Sequence, residues 1–172
     1  MKPDLKFTFA VDLQANTLTV TREFAGPRPL VWDCHTKREL LDRWFAPKPL
    51  TTKTKSMDFR EGGHWHYAMV DPSGPEYWSR IDYRTITPID GYTALDGFSD
   101  ETGAINPALP QAEWDVTFTD RGAHTIVRTV VTYPSAEAIN TVMAMGMEAG
   151  LTSTLERLDE LLAILTQPET QG

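Results

Sequence analysis

The sequence predicts an α+β fold in which an antiparallel sheet packs against one long C-terminal helix. Two patterns carry this prediction. Apolar residues over 135–165 recur at steps of three and four, as they do along one face of a helix. Before residue 134, most of the chain instead alternates apolar and polar residues between short turns, which is typical of antiparallel strands.

The first predicted element is a β-hairpin at the N-terminus. Apolar residues alternate with polar ones over residues 7–13, and the alternation resumes over residues 18–24. The polar segment 14–16 between them suits a turn. Gly26 and Pro27 then end the second strand, because neither residue suits a strand interior.

Two short helices are predicted after the hairpin. Pro29 suits the first position of a helix over residues 30–34, because its fixed φ angle matches the helical value and it has no N–H to leave unpaired. Thr36 and Glu39 have the spacing of a capping box, which predicts a second helix over residues 37–44.

About six further strands are predicted over residues 51–133. Residues 99–111 form the only long irregular loop in this region, which could act as a flap over a sheet end or be a passive insertion. Turn-forming residues elsewhere divide the region at four places, which are 61–63, 71–74, 90–91 and 120–122.

The long C-terminal helix is predicted over residues 135–165. Ser135 suits its N-cap, and Pro168 lies beyond its last apolar residue. Seven apolar residues share one stripe of this helix, which is expected to face the sheet. They are Ile139, Met143, Met147, Leu151, Leu155, Leu158 and Leu162.

Size and charge exclude several classes of protein. The 172 residues suit one domain, which is predicted to span residues 1–172. A net charge of -8 opposes binding to nucleic acid, and no apolar run is long enough to insert into a membrane. The single cysteine, Cys34, excludes an intramolecular disulfide, and the first residues lack the apolar core of a signal peptide. We therefore expect a cytoplasmic protein.

Five segments, taken together, are similar to a known family. They are REFAGPRPLVW (22–32), ELLDRWFAPKP (39–49), MDFREGGHWHYAM (57–69), YPSAEA (133–138) and MGMEAGLTSTLERLDELL (145–162). The pattern resembles the START-like (SRPBCC) superfamily and, within it, homologues of the activator of the heat-shock-protein-90 ATPase, over roughly residues 18–165. Residues 1–17 then form an N-terminal hairpin extension. The resemblance implies a helix-grip fold, in which a curved antiparallel sheet wraps around the C-terminal helix and leaves a cavity between them.

The inner face of the sheet and the helix stripe are predicted to line this cavity. On one strand, alternation places Trp65, Tyr67 and Met69 inside and directs His64 and His66 outward. The predicted ligand-binding residues are Trp65, Tyr67, Met69, Tyr77, Ile81, Tyr83, Leu95, Trp114, Val116, Phe118, Met143, Met147 and Leu151. The alternative is that these side chains fill a solid core, as they do in many folds. A dry cavity of about 300 Å³ would cost on the order of 7 kcal/mol, so the space is expected to be filled, wetted or occupied by an apolar ligand.

No catalytic constellation, metal site or cofactor motif is evident in the sequence. His64 and His66 have a spacing seen in metal sites, but no third ligand is apparent, so surface histidines are expected. His35 and His124 are expected at the surface as well. Cys34 is expected to be a buried, inert thiol, because its helical neighbour points about 100° away and is poorly placed to act as its base.

Three functions remain open. The leading prediction is a protein that binds a small hydrophobic ligand between sheet and helix, without a chemical step of its own. One alternative, implied by the resemblance, is a co-chaperone-like activator of a heat-shock-protein-90 ATPase. The other is a polyketide cyclase-like enzyme, for which Glu148, Asp96 or a tyrosine would supply the ionisable group. Binding is favoured over catalysis because the helix stripe carries no catalytic side chain.

Overall fold

The computed structural model of the protein describes residues 5–167. Its elements are β1 (Phe7–Asp12), β2 (Thr17–Phe24), α1 (Arg28–Thr36), α2 (Arg38–Trp44), β3 (Thr51–Met57), β4 (His64–Val70), β5 (Glu76–Thr87), β6 (Gly91–Phe98), β7 (Ala112–Arg121), β8 (His124–Thr132), α3 (Ala136–Ala144) and α4 (Met147–Leu165). This order confirms the predicted hairpin, the two short helices and the run of strands that follows them.

The eight strands form one antiparallel sheet in the order β1-β2-β8-β7-β6-β5-β4-β3. The chain crosses from β2, next to one edge, to β3 at the opposite edge through α1 and α2. Register shifts at residues 54–56 of β3 and 83–85 of β5 interrupt the regular pairing, and such irregularities help a sheet to bend. The curved sheet and the C-terminal helix confirm the helix-grip fold.

The core lies between the inner face of the sheet and the helices. One cluster of buried side chains lies where α1, α2 and α4 meet the sheet, and it includes Phe24, Trp44 and Leu158. A second cluster lies beneath α3 and includes Leu18 and Ile139. Residues of both clusters line the cavity described below.

The prediction of a single long C-terminal helix is wrong, because α3 and α4 are separated at Met145 and Gly146. Gly146 has φ 85° and ψ 28°, a left-handed conformation that costs other residues roughly 1–2 kcal/mol. The apolar repeat continues across this break and so could not reveal it. Ser135 caps α3 as predicted, since its side-chain oxygen accepts a main-chain hydrogen bond of 3.1 Å. Pro168 lies outside the described residues.

The predicted starts of the two short helices need correction. α1 begins before residue 30, so Pro29 occupies its second position rather than its first. The capping box of Thr36 and Glu39 does not form. Thr36 is instead the last residue of α1, where its hydroxyl donates to the carbonyl oxygen of Trp32 at 2.9 Å. Lys37 is the residue at the N-cap of α2.

Candidate ligand-binding site

A cavity of about 380 Å³ lies between the inner face of the sheet and the C-terminal helices. This volume falls within the range of small-molecule sites. Met147 and Leu151 of α4 form part of one wall, and Trp44 of α2 contributes where the short helices close one end. Tyr77 and Met145 also line the cavity, yet they are 56% and 54% exposed, so they mark its mouth.

Ten of the thirteen residues predicted to bind a ligand line this cavity. They are Trp65, Tyr67, Met69, Tyr77, Ile81, Tyr83, Trp114, Val116, Met147 and Leu151. They come from β4, β5, β7 and α4, whose inward faces were assigned from the alternation and the helical stripe. Their placement makes contact with a ligand possible, and binding itself stays a prediction.

Leu95 does not line the cavity, because β6 presents its other face inward. Leu95 pairs with Glu113 of β7, which is exposed on the outer surface of the sheet. The inward residues of β6 that reach the cavity are Tyr92, Asp96 and Phe98, and none of them was in the predicted set. An aspartate on the inward face of β6 breaks the apolar pattern expected of a core, and this break could have identified the face as part of a site.

Phe118 and Met143 also lie outside the cavity. Phe118 faces inward, but its ring lies 5.1 Å from the rings of both Trp32 and His35 and fills the core beneath α1. Met143 packs against the cluster beneath α3. The break at Gly146 separates α3 from α4, so the stripe does not continue along one straight helix face from Met143 to the cavity.

Of the residues that the structure describes, Asp96 is the one with a carboxyl group that lines the cavity. The residue is half-buried and lines the cavity. Burial raises the pKa of Asp96 to about 7, although the indole N–H of Trp114 and the main-chain N–H of Ala112 favour its charged form. Within residues 5–167 the indole N–H of Trp114 reaches full hydrogen-bond geometry with no acceptor, so it favours the charged form as a nearby dipole and not through a formed hydrogen bond. Asp96 therefore changes charge near neutral pH.

Tyrosine side chains line the same cavity as this carboxyl group. Burial raises the pKa of Tyr67, Tyr92 and Tyr133 well above the usual range. The negative charge of Asp96 adds to the rise for Tyr67 and Tyr133, which line the same cavity. These phenols stay neutral at physiological pH, and their rings provide apolar walls that carry polar hydroxyl groups.

A chain of hydrogen bonds holds the aromatic wall on β4 in place. The rings of Trp65 and Tyr67 are stacked, with centroids 3.9 Å apart and planes 20° apart. Trp65 Nε1 donates to Thr54 Oγ1 at 3.0 Å, and the Thr54 hydroxyl donates to Asp42 Oδ1 at 2.5 Å. These bonds connect β4, β3 and α2, so the wall is rigid where the short helices close the cavity.

A buried ion pair between Arg22 of β2 and Asp159 of α4 ties the sheet to the helix beside the cavity. Burial raises the pKa of Asp159 more than the Arg22 guanidinium lowers it. The guanidinium also lies 4.9 Å from the centre of the Phe24 ring. Sequence reasoning missed this pair, and its signal was an arginine at an inward-facing position of an otherwise apolar strand face.

Two histidines expected at the surface are enclosed by protein. His66 is buried on the outer face of β4 beneath the loop 99–111, where Nε2 lies 3.0 Å from the carbonyl oxygen of Asp100. His35 lines the cavity, and its Nδ1 lies 2.8 Å from the carbonyl oxygen of Val31. Burial lowers the pKa of His35 to about 4, so this imidazole is neutral at physiological pH.

The remaining candidate groups do not line the cavity. Cys34 is buried as predicted, and burial raises the pKa of its thiol to about 11, which makes it inert. Glu148 is exposed in the first turn of α4. Across residues 5–167, no three potential metal-binding side chains converge, and no helix is long and apolar enough to cross a membrane.

Comparisons with known proteins identify relatives of this chain. The family described as activator of Hsp90 ATPase homolog 1-like protein matches residues 25–163. A protein of known structure from Mycobacterium smegmatis is 31% identical, with a TM-score of 0.84, over 96% of this chain and 100% of that one. A protein from Arthrobacter aurescens is 26% identical, with a TM-score of 0.85, over 91% of each chain. No curated protein matches the chain in sequence.

Proposed function

Because the chain belongs to the family of activator of Hsp90 ATPase homolog 1-like proteins, within the START-like superfamily, we propose that it binds a small apolar molecule between sheet and helix. The observation that carries this proposal is the cavity of about 380 Å³, whose walls are mainly aromatic and aliphatic. Cys34 is a free, buried thiol, which is compatible with the reducing cytoplasm that we propose as the protein's location.

The size of the cavity favours an apolar occupant. If it were dry, a cavity of this volume would cost about 9 kcal/mol at roughly 24 cal/mol per Å³, which is comparable to the whole stability of a domain. Water finds few hydrogen-bond partners along walls such as Met69 and Leu151. An apolar ligand instead gains about 0.8 kcal/mol for each CH₂ group that it buries.

The proposal is tested by calorimetric titration of the purified protein with naphthylethanol, a neutral bicyclic probe. We expect one-site binding to the wild type and at least tenfold weaker binding to Leu151→Trp, whose indole would occupy the cavity. Ile164→Trp is the matched control, because it adds the same side chain at a position of α4 that is 57% exposed and outside the cavity. Absence of saturable binding to the wild type, or equal binding to both variants, would refute the proposal.

Asp96 favours a second candidate function, a cyclase-like enzyme. A carboxyl group with a pKa of about 7 inside a largely apolar cavity can take and return a proton at physiological pH. The test is the rate at which a β-diketone probe enolises with wild type and with Asp96→Asn. A rate that does not differ between the two proteins would exclude this function.

A further inference from the structure

The structure also bears on the chemistry of the ligand. Building on the proposed apolar site, we propose that the ligand is a cation, with an apolar body and one protonated amine that pairs with the Asp96 carboxylate. The first observation is that, in the part of the chain that the structure describes, Asp96 is the one acidic residue of the cavity wall. Within residues 5–167 it forms no ion pair with a basic side chain. A buried carboxylate without a counter-ion is unfavourable, and a ligand cation would supply one.

The other ionisable groups of the cavity cannot neutralise Asp96. The ionisable residues that line the cavity are Arg22, His35, Tyr67, Tyr77, Tyr83, Tyr92, Asp96 and Tyr133. The guanidinium of Arg22 is held by Asp159 of α4. His35 of α1 is neutral above pH 4, and burial keeps the phenols of β4, β6 and the segment after β8 neutral. Burial has the same effect on Tyr83 of β5.

Aromatic rings near Asp96 suit the same cation. Asp96 pairs with Ala112 of β7, so Trp114, two residues along that strand, lies on the same inward face. Tyr67 and Tyr133 line the same cavity. An ammonium group attracts the faces of aromatic rings, and this attraction is strongest where water is excluded. A ligand that carries an alcohol or amide in place of the amine would leave the negative charge of Asp96 unbalanced.

Negative charge next to a cavity-lining residue of α4 favours a cation as well. Glu148 is exposed in the first turn of α4, directly after Met147, which lines the cavity. The whole chain carries a net charge of -8. This negative potential attracts cations toward the mouth and repels carboxylates such as fatty acids.

Pairing with a cation makes binding dependent on pH. Burial raises the pKa of Asp96 to about 7, so most molecules are ionised at pH 8 and most are protonated at pH 6. At pH 6 the ammonium can pair only after the carboxyl proton leaves for the solvent. The affinity for an amine is therefore expected to fall about tenfold from pH 8 to pH 6, while that for a neutral probe changes little.

The experiment compares naphthylethylamine with naphthylethanol, which share their ring system and differ in the terminal group. Calorimetric titrations at pH 8 and pH 6 would use wild type, Asp96→Asn and Asp115→Asn. Asp115 is exposed on the outer face of β7, so the same substitution there is a matched control. Titration at pH 6 in two buffers of different ionisation enthalpy counts the proton that is released, and circular dichroism checks the fold of each variant.

We expect the wild type and Asp115→Asn to bind the amine at least tenfold more tightly than the alcohol at pH 8. This preference should shrink about tenfold at pH 6, with release of about one proton, and should be absent from Asp96→Asn. Equal binding of both probes by the wild type at both pH values would overturn the inference and leave the apolar site intact. Failure of both probes to bind would refute both proposals. Should Asp96→Asn not fold, the pH dependence and proton release of the wild type decide alone.

Discussion

Replacement of Asp96 by asparagine is expected to change how the stability of the protein depends on pH. Burial raises the pKa of Asp96 from 3.8 in the unfolded chain to about 7 in the folded protein. The unfolded chain therefore loses this proton at a lower pH than the folded protein does. Between these two pKa values the folded state binds more protons, so the free energy of unfolding falls as the pH rises.

The two pKa values determine the size of the effect. A difference of about three pKa units corresponds to a loss of about 4 kcal/mol once the pH is well above 7. Roughly 1.7 kcal/mol of this loss has already occurred at pH 5, so about 2.5 kcal/mol remains between pH 5 and pH 8. Water that reaches the cavity-facing side of the carboxyl group would reduce this value. Asparagine does not ionise, so the variant should lack this component.

Urea unfolding at pH 5 and pH 8 would measure the effect on wild type, Asp96→Asn and Asp115→Asn. The comparison isolates Asp96, because wild type and Asp96→Asn share every other titrating group, including His35. Asp115→Asn should lose as much stability between the two pH values as the wild type does, while Asp96→Asn should lose about 2.5 kcal/mol less. An identical change in the free energy of unfolding for wild type and Asp96→Asn would refute the argument that this carboxyl is buried and unpaired.

Three further predictions concern the ion pair, the helix break and the enclosed histidine. Arg22→Met is expected to lower the free energy of unfolding by about 3–5 kcal/mol, because it leaves Asp159 buried without its partner, and R22M/D159L should recover most of the loss. A loss of stability below roughly 1 kcal/mol in urea unfolding of R22M would contradict this. Gly146→Ala should destabilise by roughly 1–2 kcal/mol through its positive φ, whereas Gly150→Ala, within a regular helix and with room for a methyl group, should stabilise by about 0.5–1 kcal/mol. A shift of the thermal unfolding temperature in the same direction for both variants would contradict this prediction. Burial lowers the pKa of His35 to about 4. As the pH falls from 6.5 toward 4, the unfolded chain binds a proton at this imidazole that the folded protein does not bind, so the free energy of unfolding falls by about 3 kcal/mol in total. Urea unfolding at pH 7 and pH 4.5 should show a smaller loss for His35→Gln than for wild type, and equal losses would argue against a buried neutral imidazole.

Local patterns predicted the faces of most strands because their two sides differ clearly. On β4 the large residues Trp65 and Tyr67 alternate with smaller or polar neighbours, and both line the cavity. β6 could not be assigned in this way. It carries Asp96 inward and Leu95 outward, which reverses the arrangement that burial of apolar surface predicts.

Features that depend on distant parts of the chain could not be predicted from local patterns. The left-handed backbone at Gly146 leaves the apolar repeat unchanged, so the repeat predicts one helix where there are two. His66 faces outward on its strand as predicted, but the loop 99–111 folds over it. Arg22 is accepted in the core only because Asp159, far along the chain, reaches it from α4.

The inward-facing Asp96 of β6 affects both the stability of the protein and its binding of a ligand. At neutral pH an ionised Asp96 lowers the stability of the folded protein, and a hydrophobic residue at the same position would not. Residues that break the local pattern at a cost in stability are typical of functional sites, where the charge is needed by a ligand rather than by the fold. A bound cation would return part of the lost stability, and it would return more at pH 8, where Asp96 is ionised, than at pH 6. Naphthylethylamine should therefore raise the thermal unfolding temperature of the wild type more at pH 8 than at pH 6. An equal rise at both pH values would show that binding of the amine does not depend on the charge of Asp96.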